Sequence, residues 1–496
     1  MSEETRSLAA RVASGAKASF GGRALYIASN AVLILLLTRE LLTPTVFGRL
    51  YFVVSVLGVV SMFAVLGLPK SAARYVNQYA ERDPGQVRYI IRVSVLMLSA
   101  LAVAVSTGLV LASDRLAVLL GDPAAGPLLA LGGLYVAVYA LHSQVVVLFQ
   151  AFNRVEWSAT VTALSGVVRL VLAVALVLAG LEAAGALLGY IGGYAIAVVV
   201  GAVVLYRRYY RQLEPADSPE EGLVRRIVEY SVPLTATKGA GVLDKRVDII
   251  LVGTLLNPAA VSYYVISKQI SEFASIAATS FGYSVSPAYG EQKASDRVER
   301  AARLYENSVR YTLLLYVPAA VGLVLVADPT VTLVFGDQYA PAVPVVQVMS
   351  GFVLVNAVNK VTSDGLDYLG KARSRAVMKT VTATANFLLN LLLIPVFGVV
   401  GAAVATVITY TAYTGGNVYQ IHTELELDIR SILRDTVVVC LIAAAMAAVV
   451  VFAVPYVSGP LTLAGVVALG GGVWAVLSVA SGFVDVRAVV SLLLEA

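Results

Sequence analysis

The sequence predicts an all-α membrane protein that crosses the bilayer about fourteen times. Of its 496 residues, 59% are hydrophobic and only 14% are charged, and the mean hydropathy is +0.83. Soluble domains average about 45–50% apolar and about 25% charged residues. This composition therefore excludes a soluble enzyme and a disordered chain. A membrane-spanning helix needs about 20 apolar residues, and fourteen such stretches follow one another along the chain.

The links between these stretches are short. Two of them, at residues 181–182 and 397–398, leave room only for tight turns. The predicted spans cover residues 17–38, 46–68, 88–111, 127–150, 157–180, 183–206, 230–255, 259–287, 306–327, 341–363, 376–396, 399–422, 434–456 and 460–483.

Lysine and arginine fall almost entirely on one side of this arrangement. With the N-terminus inside, the inner segments carry twenty-three of these residues, and the outer segments carry two, Arg39 and Arg115. Cytoplasmic loops of membrane proteins are enriched in Lys and Arg. The pattern predicts a plasma-membrane protein with both termini cytoplasmic. The net charge of +5 is then a signal of topology, and no nucleic-acid partner is expected.

The chain also repeats itself. Residues 41–48 after span one resemble residues 255–262 after span seven, at an offset of 214, and residues 181–186 resemble residues 397–402, at an offset of 216. Two matches at nearly one offset indicate a duplicated six-helix unit, with parallel copies because six is even. We predict a first lobe at 1–213, a second at 214–430, and two further helices with a short cytoplasmic tail at 431–496.

Two local patterns predict how helices begin and pack. In the linker before span seven, Ser218, Pro219 and Glu221 are arranged as a capping box, which predicts that a cytoplasmic amphipathic helix starts there. On span six, Gly185, Gly189 and Gly193 recur every four residues, which favours close packing against a neighbouring helix.

Polar residues at membrane depth are the candidates for function, because they are costly in hydrocarbon unless they face a cavity or a partner. Deep cations are expected to line an aqueous cavity, whereas neighbouring acidic and basic residues either neutralise each other or bind an ion. The candidates are Arg23 on span one, Arg49 on span two, Arg169 on span five, Asp244, Lys245 and Asp248 on span seven, and Lys268 and Glu272 on span eight.

Catalytic and metal chemistry find no support in the sequence. His142, His422 and Cys440 lie far apart, whereas a zinc site needs three or four close ligands. The segment from Gly365 to Lys371 resembles a phosphate-binding loop, but Ala372 stands where the magnesium-binding Ser or Thr belongs. We therefore expect no enzyme activity, no metal and no cofactor.

Four motifs carry a resemblance to a known family. They are Arg39-Glu40-Leu41-Leu42-Thr43-Pro44-x-x-Phe47-Gly48, Gly67-Leu68-x5-Arg74-Tyr75, Ala151-Phe152-Asn153-Arg154 and Leu369-Gly370-Lys371. They resemble segments of polysaccharide flippases in the multidrug/oligosaccharidyl-lipid/polysaccharide exporter superfamily. The resemblance implies a V-shaped pair of six-helix lobes, alternating access, a monomer, and a prenyl-linked oligosaccharide on a dolichyl or undecaprenyl carrier.

The resemblance also implies roles for particular residues. The related lipid II flippases hold a diphosphate with cations on helices one, two and eight, which are the helices of Arg23, Arg49 and Lys268 here. Arg169 and Lys245 are further candidates for binding the headgroup. Asp244, Asp248 and Glu272 are candidates for coupling transport to H⁺ or Na⁺.

Two other functions stay open from the residues alone. One is an ion-coupled multidrug or metabolite exporter of the same superfamily, whose cationic substrates would call for carboxylates in the cavity. The other is a scaffold that binds glycan-synthesis enzymes through its basic loops. The excess of deep basic residues favours an anionic lipid substrate.

Overall fold

The computed structural model describes residues 3–216, 218–295 and 297–483, and in these ranges the protein is helical with no β-strand. The chain divides into two compact units, Met1–Ser262 and Tyr263–Ala496. The helices are α1 Glu3–Leu36, α2 Pro44–Val65, α3 Leu68–Arg82, α4 Pro84–Leu119, α5 Gly126–Ala151, α6 Val155–Leu176, α7 Glu182–Arg208, α8 Leu223–Leu255, α9 Pro258–Ala274, α10 Ile276–Ala294, α11 Val298–Leu325, α12 Ala327–Phe335, α13 Val343–Tyr368, α14 Ala372–Leu425, α15 Ile429–Ala453 and α16 Pro460–Ala480.

The predicted all-α membrane architecture is confirmed. Among the described residues, ten helical segments are long and apolar enough to cross a membrane. Two of these, Val155–Gln212 and Ala372–Leu425, are 58 and 54 residues long, which is more than twice the length that one span needs. The charged helices α8, α9 and α10, where spans seven and eight were predicted, are not among the ten. The count of fourteen stays a prediction.

Both long segments double back on themselves at the predicted tight turns. In the first, Gly180 has φ 90° and Glu182 has φ 41° and ψ −128°. In the second, Gly398 has φ 60° and ψ −141°. Asn386 Nδ2 donates to Thr409 Oγ1 at 3.2 Å and Gln420 Nε2 donates to Ser374 Oγ at 2.6 Å. These pairings show that the two halves of α14 run antiparallel.

The first unit is built around the hairpin that α6 and α7 form. Helix α1 packs on α6, α6 packs on α7, and α2 packs on α5, α7 and α8. The predicted small face of α7 explains the close approach to α6. A Cβ at Gly189 would lie 2.5 Å from the Ala173 backbone, and one at Gly193 would lie 2.6 Å from the Ser165 carbonyl oxygen.

In the second unit, α13 packs against α10, α11 and α14, and α15 packs against α11 and α16. Trp474 of α16 donates its indole N–H to the Leu314 carbonyl of α11 at 2.9 Å. The last two helices are thus held to the second unit by a specific hydrogen bond as well as by apolar contacts. Their predicted tail beyond residue 483 lies outside the described residues.

The predicted capping box in the linker is wrong. Helix α8 begins at Leu223 after Gly222, and it continues without a break to Leu255. The neighbouring carboxylate, Glu220, accepts hydrogen bonds from Tyr79 of α3 and Arg226 of α8. These two bonds, one of them from a cation, favour a linker that stays non-helical before Leu223.

The first repeat match is visible as local structure. Pro44 opens α2, where Thr43 Oγ1 accepts from the Val46 amide at 3.4 Å. Pro258 opens α9, where Asn257 Oδ1 accepts from the Ala260 amide at 2.9 Å. Each helix therefore starts with a polar cap followed by proline, the arrangement that satisfies the first free amides.

Candidate functional site

Arg169 is a buried cation in the middle of α6. It is 4% exposed and lies seven residues before the helix end at Leu176. Its Nη2 donates to Asn30 Oδ1 at 3.0 Å and its Nη1 donates to the Tyr26 hydroxyl at 3.3 Å. The guanidinium also lies 4.7 Å from the Tyr190 ring centre, within range of a cation–π interaction. Its Nε has no hydrogen-bond partner.

Tyrosines from α1, α2, α5 and α7 surround this arginine. Tyr135 and Tyr139 lie one turn apart on α5 with their ring planes 2° apart, and Tyr194 of α7 stands edge-on to both at 5.7 and 5.6 Å. The ring of His142 lies 4.8 Å from Tyr194. We call the following set the tyrosine cluster: Tyr26, Tyr51, Tyr135, Tyr139, Tyr190 and Tyr194.

Arg246 of α8 reaches the same cluster from another side. It is half-buried, and a Cβ at Gly58 of α2 would lie 3.3 Å from its Nε. Tyr51, Tyr135 and Tyr139 lie within electrostatic range of its guanidinium. Arg246 lies nine residues before the end of α8 at Leu255, or about 14 Å at 1.5 Å per residue.

The side chains of this site are mostly hydrogen-bond donors and cations. In the part of the chain that the structure describes, neither Arg169 nor Arg246 has a carboxylate within ion-pair distance. Guanidinium groups bind phosphate oxygens through paired N–H donors. The phenol hydroxyls add neutral donors and the rings add flat apolar faces. Together these groups can hold a phosphate that is joined to a sugar.

Comparison with known proteins adds the family. The profile of the family described as "Polysaccharide biosynthesis protein" matches residues 36–344, which is more than half of the chain. The chain belongs to this polysaccharide biosynthesis protein family. The family resemblance of the sequence motifs is thereby confirmed.

Two relatives from Haloferax volcanii carry flippase names. The chain is 23% identical over 190 residues to the probable low-salt glycan biosynthesis flippase Agl15, a match covering 38% of this chain and 40% of that protein. It is 26% identical over 269 residues to the probable flippase AglR, which covers 52% of this chain and 53% of that protein. The chain thus spans about half the length of these relatives or less.

Solved structures show the same fold. The inward closed conformation of the lipid II flippase MurJ superposes with a TM-score of 0.75, covering 94% of this chain and 97% of that chain at 13% identity. An inward-facing multidrug resistance transporter of the MATE family superposes with a TM-score of 0.61, covering 82% and 96% at 16% identity. The helical fold of this family member is therefore shared with these two transporters.

Two of the predicted headgroup cations in the first unit lie outside the tyrosine cluster. Arg23 is exposed on α1, one turn before Tyr26. Arg49 forms a two-pronged ion pair with Asp122, with Nε–Oδ2 at 2.7 Å and Nη2–Oδ1 at 3.3 Å. This pair ties the first turns of α2 to the turn after α4, so Arg49 has a structural partner that the sequence pattern did not indicate.

The predicted residues of α8 are divided between its faces. Asp248 is buried at 4% exposure, whereas Asp244 is half-buried and Lys245 is exposed. All three take part in polar or electrostatic interactions. Their neighbour Arg246, which the sequence analysis treated as flanking this group, is the α8 residue that reaches the tyrosine cluster.

The predicted residues of α9 are described within the second unit. Lys268 is half-buried and lies 5.9 Å from the Tyr264 ring centre, and Glu272 is exposed. Serines of this helix form hydrogen bonds with its own backbone. Ser271 and Ser275 donate to carbonyls four residues back at 2.9 and 2.8 Å. Such bonds bend helices, and the predicted span breaks here between α9 and α10.

The sequence analysis missed the aromatic part of the site. The signal was present, because Tyr135 and Tyr139, and likewise Tyr190 and Tyr194, are four residues apart and so lie on one face of their helices. Tyrosine on an apolar helix more often packs at an interface than lines a site. Only the presence of two nearby arginines, Arg169 of α6 and Arg246 of α8, distinguishes these rings from ordinary packing.

Proposed function

We propose that this protein is a flippase that moves a prenyl-linked phosphate or diphosphate oligosaccharide from the cytoplasmic to the outer leaflet by alternating access. Such a step would serve the assembly of cell-surface polysaccharide or glycoprotein. The observation that carries the proposal is a pair of arginines beside the tyrosine cluster: Arg169 contacts its rings, and Arg246 lies within electrostatic range of them. The flippase names of the relatives and the family membership support it.

The physical chemistry of the substrate matches this site. A charged glycan headgroup cannot cross hydrocarbon unaided because its desolvation is too costly, whereas the prenyl tail can stay in lipid. A site with two guanidinium groups offsets part of that cost. An interior-negative potential of 100 mV drives two negative charges outward with a gain of about 4–5 kcal/mol, so no ATPase domain is needed.

We assign different tasks to the two arginines. Arg246 is half-buried and is proposed as the cation that contacts the phosphate. Arg169 donates from its two terminal nitrogens to Tyr26 and Asn30 and is proposed to position these side chains. Arg23 and Lys245 are exposed and stay proposals as further contacts. Arg49 is left out because Asp122 already neutralises it.

The remaining features of the proposal concern topology and energy. We propose fourteen spans in two parallel six-helix lobes, with two further helices, both termini in the cytoplasm and a monomeric state. Lys268 is proposed as a further cation that binds the substrate headgroup. H⁺ or Na⁺ coupling through Asp244, Asp248 or Glu272 is proposed as an addition to the membrane potential.

The test is flipping of a fluorescent prenyl-linked oligosaccharide in proteoliposomes. The wild type is compared with Arg246→Gln and with Arg225→Gln, a control on the same helix whose side chain is 82% exposed. Loss of a hydrogen bond between charged groups costs about 1.5–3 kcal/mol, which is about 10- to 100-fold in affinity. We expect Arg246→Gln to lower the rate at limiting substrate by about this factor, and Arg225→Gln to leave it unchanged.

Two outcomes would count against the proposal. Equal flipping by wild type and Arg246→Gln would remove Arg246 as the headgroup ligand. Absence of flipping by folded wild type with both dolichyl and undecaprenyl carriers would reject the flippase. The same proteoliposomes would then be tested for export of cationic drugs under an H⁺ or Na⁺ gradient, the activity of the alternative exporter.

A further inference from the structure

A second basic and aromatic cluster lies in the first unit, where α4 and α6 begin and α5 and α7 end. The guanidinium carbon of Arg208 lies 5.2 Å from the Trp157 ring centre, and that of Arg154 lies 5.9 Å from the Tyr209 ring. Arg88 lies 5.3 Å from the Tyr210 ring. We call the following set the arginine–aromatic collar: Arg88, Arg154, Trp157, Arg207, Arg208, Tyr209, Tyr210 and Arg211.

Ring contacts join these pairs into one surface. Phe152 stacks on Tyr209 at 5.2 Å, and Phe149 lies 6.3 Å from Tyr209 and 6.1 Å from Trp157. Tyr206 stacks on Tyr210 at 5.8 Å. The collar is therefore continuous across the ends of four helices, although its residues come from separate parts of the sequence.

The collar carries an excess of exposed positive charge. Arg154, Arg207, Arg208 and Arg211 are all exposed. Glu156 lies 4.0 Å from Arg154. Within the described ranges, the other three exposed arginines have no carboxylate within ion-pair distance. The surface is thus complementary to an anion.

The apolar surface next to the collar identifies the kind of partner. On α7, Val199, Val203 and Tyr206 are 63%, 45% and 57% exposed, and they follow at the i, i+4, i+7 spacing of one helix face. This exposed apolar stripe runs directly into Arg207. A partner must therefore be anionic at the collar and hydrocarbon along the stripe, which describes a phospholipid and not a soluble phosphate or a nucleic acid.

We propose that the arginine–aromatic collar binds the headgroups of anionic phospholipids in the leaflet that it faces. Tryptophan and tyrosine settle at the level of lipid headgroups. Clusters of four or more Lys and Arg next to a transmembrane helix attract anionic lipids. This inference does not depend on the flippase activity, since it concerns a surface separate from the tyrosine cluster.

The test uses the scarcity of tryptophan in this chain, which has two, Trp157 and Trp474. A Trp474→Phe background leaves Trp157 as the reporter inside the collar. The protein is reconstituted in phosphatidylcholine vesicles that contain either brominated phosphatidylglycerol or brominated phosphatidylcholine at equal mole fraction. We expect stronger quenching of Trp157 by the brominated phosphatidylglycerol, and a weaker preference at high salt because salt screens exposed charges.

Two triple variants separate the collar from net charge. Arg207→Gln, Arg208→Gln and Arg211→Gln together are expected to lower the preference for phosphatidylglycerol about fivefold or more. The control is a second triple variant with the same change of charge on exposed residues elsewhere, and it should keep the preference. Its substitutions are Arg297→Gln, Arg300→Gln and Arg303→Gln.

Several results would overturn the inference. Equal quenching by the two brominated lipids would show that the collar does not select an anion. Equal loss in both triple variants would assign the effect to net charge. Displacement of phosphatidylglycerol by inorganic phosphate would make the collar a site for a soluble anion. Each triple variant is first checked for wild-type thermal stability, so that misfolding is recognised.

Discussion

Arg169 Nη2 lies 3.0 Å from Asn30 Oδ1, and this hydrogen bond ties α6 to α1 at the centre of the first unit. The same guanidinium donates to Tyr26, one turn earlier on α1. Two donors to one helix fix the orientation of the arginine. The guanidinium also lies 4.7 Å from the Tyr190 ring centre. Among the described residues, no carboxylate lies within ion-pair distance of this buried cation.

Loss of the Asn30 amide should destabilise the first unit. Asn30→Leu leaves a buried N–H of Arg169 without an acceptor, which costs about 1–3 kcal/mol. We expect a lower midpoint of thermal unfolding in detergent. Asn307→Leu, at an exposed position on α11, is the matched control and should unfold like the wild type. An unchanged midpoint in Asn30→Leu would mean that water replaces the amide and that the site is wetter than the contacts indicate.

The ion pair of Arg49 with Asp122 should show energetic coupling. Because the two side chains are 26% and 9% exposed, we expect a coupling energy of about 1 kcal/mol in a double-mutant cycle of Arg49→Met and Asp122→Asn. The measurement is thermal unfolding of the four proteins. The double variant should retain flipping. Loss of flipping in a stable double variant would instead restore Arg49 as a headgroup ligand.

The backbone conformation at residue 182 should favour glycine over glutamate. Its φ of 41° and ψ of −128° lie in a region that side chains disfavour by about 1–3 kcal/mol, and Gly398 has nearly the same angles 216 residues later. Glu182→Gly should therefore raise the unfolding temperature, and Gly398→Ala should lower it. Gly415→Ala, which places its methyl group in open space within a helix, controls for helix propensity. A lower unfolding temperature in Glu182→Gly would refute this account.

The contact between α6 and α7 should be intolerant of one added methyl group. A Cβ at Gly189 would meet the Ala173 backbone at 2.5 Å, and overpacking of this kind costs about 1–3 kcal/mol. We expect Gly189→Ala to reduce the yield of monodisperse protein and its thermal stability. Gly108→Ala on α4 meets nothing within 4 Å and should behave as wild type. Equal behaviour of the two variants would show that α6 and α7 are farther apart.

The linker contact of Glu220 should make stability depend on pH in acid. Hydrogen bonds from Tyr79 at 2.5 Å and from Arg226 at 2.6 Å hold the pKa of Glu220 below its ordinary value. The pKa of Glu220 is lower in the folded protein than in the unfolded protein. These hydrogen bonds therefore stabilise the fold above about pH 4.3, the pKa of a glutamate in the unfolded chain. The stabilisation is lost as the pH falls through the pKa of Glu220 in the folded protein.

Thermal unfolding between pH 3 and 7 checks this expectation. Glu220→Gln should show a smaller decrease of stability in acid than the wild type. Glu221→Gln changes the exposed neighbouring carboxylate and should retain the wild-type profile. If all three profiles coincide, the linker carboxylate does not contribute to acid sensitivity.

Several features were predictable from the sequence because each depends on local chemistry. The apolar stretches dictate helices, since in hydrocarbon the backbone must satisfy its own hydrogen bonds. The turns near Glu182 and Gly398 and the small face of Gly189 follow from short-range patterns. The family followed from motifs of adjacent residues such as Thr43-Pro44. The prediction failed in the linker before α8, where the capping box of Ser218 and Glu221 does not start a helix. There the adjacent Glu220 pairs with the distant Tyr79 and with Arg226.

The candidate site, in contrast, could not be predicted from local sequence patterns. Taken alone, the sequence determined that this is a helical membrane protein, because composition and periodicity are properties of the chain itself. The internal duplication and the deep cations stay predictions. Only the tertiary structure decided which cations share a site. In the folded protein Arg49 forms an ion pair with Asp122, Arg246 lies within electrostatic range of the tyrosines, and Arg169 donates a hydrogen bond to Asn30. Pairing energies depend on distances between helices far apart in sequence, and those distances exist only after the helices have packed.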